Sequence, residues 1–218
     1  PEPEPKPIFN TKFSITKEKI TDMFELSSNF KPTMEEISIK ISLSGNGKYI
    51  AITGKKYKST ITHINYVRVF KLEEDDTWNQ FGNDIIMNKS EEFTTTVYMA
   101  QLSNDGSILA VGTDIMGASK IGKVAIFKYD DNSESYILRG DVLTDNAMYN
   151  QFGKNFSLSG DGNRIAISSH KKVFIYHWRN NKYTKFNSTF TKNSDNSYFG
   201  KSISLSKDGN MLAIGDHD

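Results

Sequence analysis

The sequence has no cysteine. That excludes disulfides, thiolate metal sites and cysteine nucleophiles together. It leaves the compartment open, because such a chain folds in oxidising or reducing surroundings alike. No apolar run approaches the roughly 20 residues needed to span a bilayer, and no signal-peptide pattern stands at the start. Neither sign of charge is in excess: 27 basic residues face 26 acidic ones, a net charge of +1. Such a chain has no long-range field to steer it onto nucleic acid or an anionic membrane, and neither is expected as a partner. Its scattered lysines read as solvated faces. A Gly-rich phosphate loop, a G-x-S-x-G elbow and an H-E-x-x-H helix are also missing.

What is present suffices for a globular core. Hydrophobic residues make up 37% and charged residues 24% of the 218 positions, so global disorder is not expected. The strongest feature is an internal repeat. Segments 38–54 (SIKISLSGNGKYIAITG), 98–114 (YMAQLSNDGSILAVGTD), 154–170 (KNFSLSGDGNRIAISSH) and 201–217 (KSISLSKDGNMLAIGDH) align with one another. Each is an alternating strand, then Leu-Ser-x-(Asn/Asp)-Gly, then a second apolar strand.

Asn-Gly and Asp-Gly favour tight hairpins, because both residues tolerate positive φ. The pairs Asn46-Gly47, Asp105-Gly106, Asp161-Gly162 and Asp208-Gly209 are therefore assigned as structural turns. The turn glycines are 59, 56 and 47 residues apart. A third strand is expected over 64–73, 122–130 and 171–179, and a fourth over 77–86, 135–143 and 182–190. Four antiparallel strands in about fifty residues is the size of a propeller blade. The fold expected is all-β: a β-propeller-like array of three full units and a partial fourth, over 36–218. Residues 1–7 read as a Pro-rich tail, and 8–35 as an N-terminal segment with a short helix over 16–28 and a closing strand over 8–15.

The motif set comprises Phe152-Gly153 and Phe199-Gly200 before the strands, GKVAIFKY (122–129) and WNQFGNDI (78–85). It resembles the FG-GAP-like β-propeller repeats of giant-virus and protist proteins, which are distantly similar to integrin alpha-chain propellers. The resemblance covers about residues 36–218. The Phe-Gly pair is missing before the first two hairpins. The D-x-D-x-D-G calcium loop is missing too, and the turn aspartates lack the six or more oxygen ligands that calcium requires. The repeat stops where the third strand of a fourth unit should begin. Either the natural chain continues past Asp218, which is the reading preferred, or residues 8–35 or another chain complete the sheet.

His170 falls at a hairpin end with no base or nucleophile beside it in the pattern, so it is read as a turn residue. His63, His170, His177 and His217 lack metal-ligand spacing. Arg139-Gly140-Asp141, an adhesion tripeptide elsewhere, falls in a predicted fourth strand and is read as coincidence. The sequons at Asn88, Asn155 and Asn187 match what an Asn-, Ser- and Thr-rich chain contains by chance. Trp78 and Trp178 read as packing, and Glu91-Glu92 and Asp75-Asp76 as solvated loops.

These readings converge on a non-enzymatic structural or protein-interaction module, with no catalytic, cofactor or metal residues. Protein partners or neighbouring subunits are expected, through the 55–63 and 113–121 loops; a small-molecule ligand is not. The giant-virus resemblance implies a virion component. The alternative is an extracellular or surface domain that recognises glycans or a receptor.

Overall fold

A computed structural model describes residues 36–57, 63–87, 95–115, 121–145, 151–192 and 199–216. All belong to one compact unit, Pro32–Asp218. The expected tail, helix and closing strand, and the central parts of both expected partner loops, lie outside the described residues.

Alternating β-branched and aromatic residues give strands throughout, and the described residues contain no helix. The first unit is β1 (Glu36–Leu43), β2 (Tyr49–Tyr57), β3 (His63–Leu72) and a split fourth strand, β4 (Trp78–Gln80) and β5 (Ile85–Ile86). The second is β6 (Thr95–Leu102), β7 (Ile108–Ile115), β8 (Gly122–Asp130) and β9 (Ser135–Leu138). The third is β10 (Phe156–Leu158), β11 (Arg164–Ser169), β12 (Lys172–Arg179) and β13 (Lys182–Thr191). The fourth contains β14 (Ser202–Leu205) and β15 (Leu212–Gly215). Within each sheet the strands pair antiparallel in chain order, and β5 pairs with β3 beyond the end of β4.

The fourth strands depart from the sequence expectation over 77–86 and 135–143. Gly82 and Gly140 take φ of 79° and 78°, which turns the chain out of the ladder. β4 and β9 therefore end early, and pairing resumes only at Ile85–Ile86 and at the single Val124–Leu143 bridge. In the third unit the matching position is Asn187, where β13 continues as one strand but its register against β12 shifts, between Thr189 and Lys185. The bidentate Arg68–Asp84 pair, at 2.7 and 2.6 Å, ties the returning chain back to β3.

The core lies between units rather than inside one sheet. Along β7, Leu109 and Val111 pack into a cluster shared with the first unit, through Ala51, Val67 and Val69. Ile108 and Ala110 pack into a second cluster shared with the third unit, through Phe152, Phe156, Ile165 and Ile167. The two-residue period of a strand places alternate side chains on opposite faces, so one strand serves two cores. A middle unit is buried on both faces and an end unit on one.

Candidate functional site

Each hairpin is held by the same four residues. Ser44, Ser103, Ser159 and Ser206 donate their hydroxyls to Oδ1 of Asn46, Asp105, Asp161 and Asp208. The same oxygen accepts the backbone N–H of Lys48, Ser107, Asn163 and Asn210. The serine oxygen in turn accepts the N–H of Tyr49, Ile108, Arg164 and Met211. Only the glycine takes positive φ, from 68° at Gly162 to 77° at Gly106. The expectation that both turn residues use that region is thereby corrected. The Asn or Asp serves as a side-chain acceptor that closes a four-residue loop.

The carboxylates of Asp105 and Asp161 are partly buried, which acts to raise their pKa. Donated hydrogen bonds from Ser103 and Ser107, and from Ser159 and Asn163, outweigh burial and hold both below the ordinary 3.8. Oδ1 of Asp105 and both oxygens of Asp161 are committed to these donors. Among the described residues no three His, Asp or Glu side chains gather as metal ligands.

Successive turns are joined to one another. Asn46 N–H donates to the Asn104 carbonyl, Asn104 N–H to that of Gly160, and Gly160 N–H to that of Lys207, at 2.7–2.8 Å. One residue before the conserved-pattern leucine, a polar side chain makes a second link. The N–H of Leu102, Leu158 and Leu205 donates to Ser42, Gln101 and Ser157 of the preceding unit, at 3.1, 2.9 and 2.8 Å. A third link is steric. Tyr49 lies over Gly106, Ile108 over Gly162 and Arg164 over Gly209, each within 2.8 Å of where a Cβ would stand. These three contacts form one joint, made three times.

Both ends of the array carry half of that joint. At the first unit no described residue lies within 4 Å of a Cβ placed on Gly47, and Ile41 and Leu43 are 63% and 51% exposed, where Leu102 is 5%. At the fourth unit, Met211 is 72% exposed where its equivalent Ile108 is 3%. Ser204, the equivalent of Ser42, Gln101 and Ser157, receives no such donor among the described residues. Leu43 is thus half exposed in a slot that is core in the other three units, at Leu102, Leu158 and Leu205. Sequence reasoning missed this exposed face, although Leu43 fills a leucine slot of the alignment.

Other expected positions resolve more simply. His170 is exposed in the short turn between β11 and β12, at a cleft of about 50 Å³ shared with Lys154, Lys171 and Lys201. That is far below the roughly 300–1,000 Å³ of small-molecule pockets. Ser169 beside it donates to Asp145 at 2.7 Å. His177 lies on β12 opposite Arg164, with its pKa lowered by burial and then by Arg179 and Arg164. Arg139 follows the end of β9 rather than lying within it, and it crosses to the third unit. Its guanidinium binds the Gly162 carbonyl, Tyr183 and Asn163, and stacks 4.2 Å from the Trp178 ring. It is thus committed inside the fold.

No protein-family model and no curated protein matches the chain. Solved structures do match. The array is similar to a Pseudomonas aeruginosa periplasmic gluconolactonase at 16% identity and TM-score 0.51, over 81% of this chain and 49% of that one. It also matches a prolyl endopeptidase (13% identity, TM-score 0.46, 87% of this chain and 32% of that one). A third match is TolB from Acinetobacter baumannii (20%, TM-score 0.41, 79% and 36%). The chain spans about half the length of the gluconolactonase. The names of these neighbours include stated enzymes and, in TolB, a protein whose name states no activity. The expectation of a non-enzymatic module is corrected on this point, because an array of this kind occurs in an enzyme and the fold does not exclude catalysis. The chain is an all-β, propeller-like array of antiparallel sheets, and its described sheets do not close into a ring.

Proposed function

We propose that the chain is a protein-interaction module that engages its partner through the outer face of its first unit. The observation that carries this reading is the contrast between Leu43, at 51% exposure, and Leu102, at 5%, in the same slot of the repeat. A complementary β surface would bury Ile41 and Leu43. Fully burying one such side chain contributes about 1.5–3 kcal/mol. The virion placement rested on the family resemblance alone, and the array adds no support to it.

The test is hydroxyl-radical footprinting of the isolated chain and of the protein in its native assembly. The peptide holding Ile41 and Leu43 should be oxidised several-fold more slowly in the assembly. Met99, partly buried against the core, should be unchanged. Equal rates for that peptide in the two preparations would overturn the reading.

A further inference from the structure

We propose that the cleft between the third and fourth units binds a tetrahedral oxyanion, a phosphate or sulfate group. Its walls are the β11–β12 turn, with His170 and Lys171, and the chain just before β10 and β14, with Lys154, Asn155 and Lys201. It lies apart from the outer face of the first unit and is a second site. Three lysines and a histidine surround about 50 Å³, and no Asp or Glu is among the lining residues. Two carboxylates stand beside it: Asp145 accepts the Ser169 hydroxyl at 2.7 Å, and Asp216 pairs with Lys192. Cations gathered around one small space repel each other, and an anion between them removes the repulsion. The net charge of +1 does not reveal this local concentration.

Size selects the ligand. A buried water needs about 10–15 Å³, so the cleft has room for about three to five water-sized groups, the bulk of a tetrahedral oxyanion. Lysine ammonium groups act toward phosphate as point charges, and the Asn155 amide adds a neutral donor. The repeat shows that the fold does not require these lysines. Lys154 and Lys201 share one slot, directly after Phe152-Gly153 and Phe199-Gly200, and that slot holds Ser38 in the first unit and Tyr98 in the second.

The backbone holds the walls in place. Gly153 N–H donates to the Ser168 carbonyl at 3.1 Å, and Gly200 N–H to that of Gly215 at 3.0 Å. A Cβ on Gly200 would stand 3.0 Å from Val173, so Lys201 is set close beside the third unit. Gln151 and Lys171, on separate walls of the cleft, take φ of 56° and 55°. L-residues seldom occupy that region, and such strain gathers at ligand sites.

The test is a titration of the 218-residue chain with inorganic phosphate at neutral pH and constant ionic strength, read by amide NMR shifts, with chloride as the matched control. The amides of Lys171, Gly200 and Lys201 should shift saturably with phosphate and not with chloride. Lys154→Gln with Lys201→Gln should weaken binding about tenfold or more, because two of the surrounding charges are gone. Both side chains are exposed, so circular dichroism should show this variant folded. Lys48→Gln with Lys207→Gln makes the same charge change beside the hairpin turns and should leave binding unchanged. Phenyl phosphate is titrated in parallel. Tighter binding of the ester identifies a phosphorylated molecule as the ligand, tighter binding of inorganic phosphate identifies the free ion, and either upholds the site. No saturable shift at these amides, equal shifts with chloride, or equal weakening by the two double variants would overturn the inference.

Discussion

A Cβ placed on Gly162 would stand 2.7 Å from the Cβ of Ile108 in the preceding unit, so the turn glycine of one unit is the seat of a side chain from another. The glycine is needed twice over, for its φ of 68° and for the missing methyl. Gly47, at 73°, is needed only for the first.

The pair makes a prediction. Gly47→Ala should cost about 1–2 kcal/mol, the penalty of placing an L-residue in the left-handed region. Gly162→Ala should cost more, because it also displaces Ile108. Urea unfolding measures both, and equal losses would contradict the steric part of the joint.

Phe152 is fully buried, with its ring centroid 5.9 Å from Phe174 and 6.5 Å from Tyr176. It fills the space between the second and third units. Phe152→Ala should destabilise the array by about 3–5 kcal/mol, read as a lowered denaturant midpoint. A loss under about 1 kcal/mol would mean that the units do not share this core.

Tyr136 and Tyr183 donate their buried hydroxyls, each at 2.6 Å, to the carbonyls of Gly106 and Gly162. The Gly162 carbonyl also receives Arg139 at 3.1 Å. Tyr183→Phe leaves that carbonyl a partner and should cost about 0.5–1.5 kcal/mol. Tyr136→Phe removes the one side-chain donor recorded for Gly106 and should cost about 1–3 kcal/mol. Burial pushes the Tyr183 phenol up to about 12, so it stays a donor throughout the neutral range. The order of the two costs, measured by thermal or urea unfolding, is the check.

Acid should loosen the turns. Asp105 and Asp161 have folded-state pKa values below 3.8, so the folded protein binds these protons less readily than the unfolded chain. Their contribution is fully present above about pH 4 and is lost as pH falls through the folded values. Asp105→Asn with Asp161→Asn should flatten that limb of the stability curve, since Asn46 shows that a neutral oxygen fits the same loop. Midpoints measured from pH 2 to pH 6 test this. An unchanged slope would place the acid sensitivity elsewhere.

The hairpins were legible in the sequence because everything they need lies within six consecutive residues, as from Ser159 to Arg164. Strand order within each unit followed from their spacing. The split of the fourth strands was not legible, because a strand pattern does not show whether Gly82 or Gly140 will turn to positive φ. The joint was hidden for a different reason. Its hydrogen bonds connect residues 60, 57 and 48 positions apart, so Ser42 and Gln101 read as ordinary polar positions until the units are set side by side. The same holds for Leu43, an ordinary apolar residue until its slot is seen to be core in the other three units.

Disulfide trapping of the joint tests the central claim most directly, because the parent chain has no cysteine to confuse the result. Ile108→Cys and Gly162→Cys are placed together in one chain and oxidised. Their Cβ atoms would stand 2.7 Å apart, so a shift of about 1 Å brings them to a disulfide's separation of about 3.5–4.5 Å. The account predicts a cross-link within the chain at every dilution, with no covalent dimer. Free thiols after oxidation, or cross-links only between chains, would contradict it.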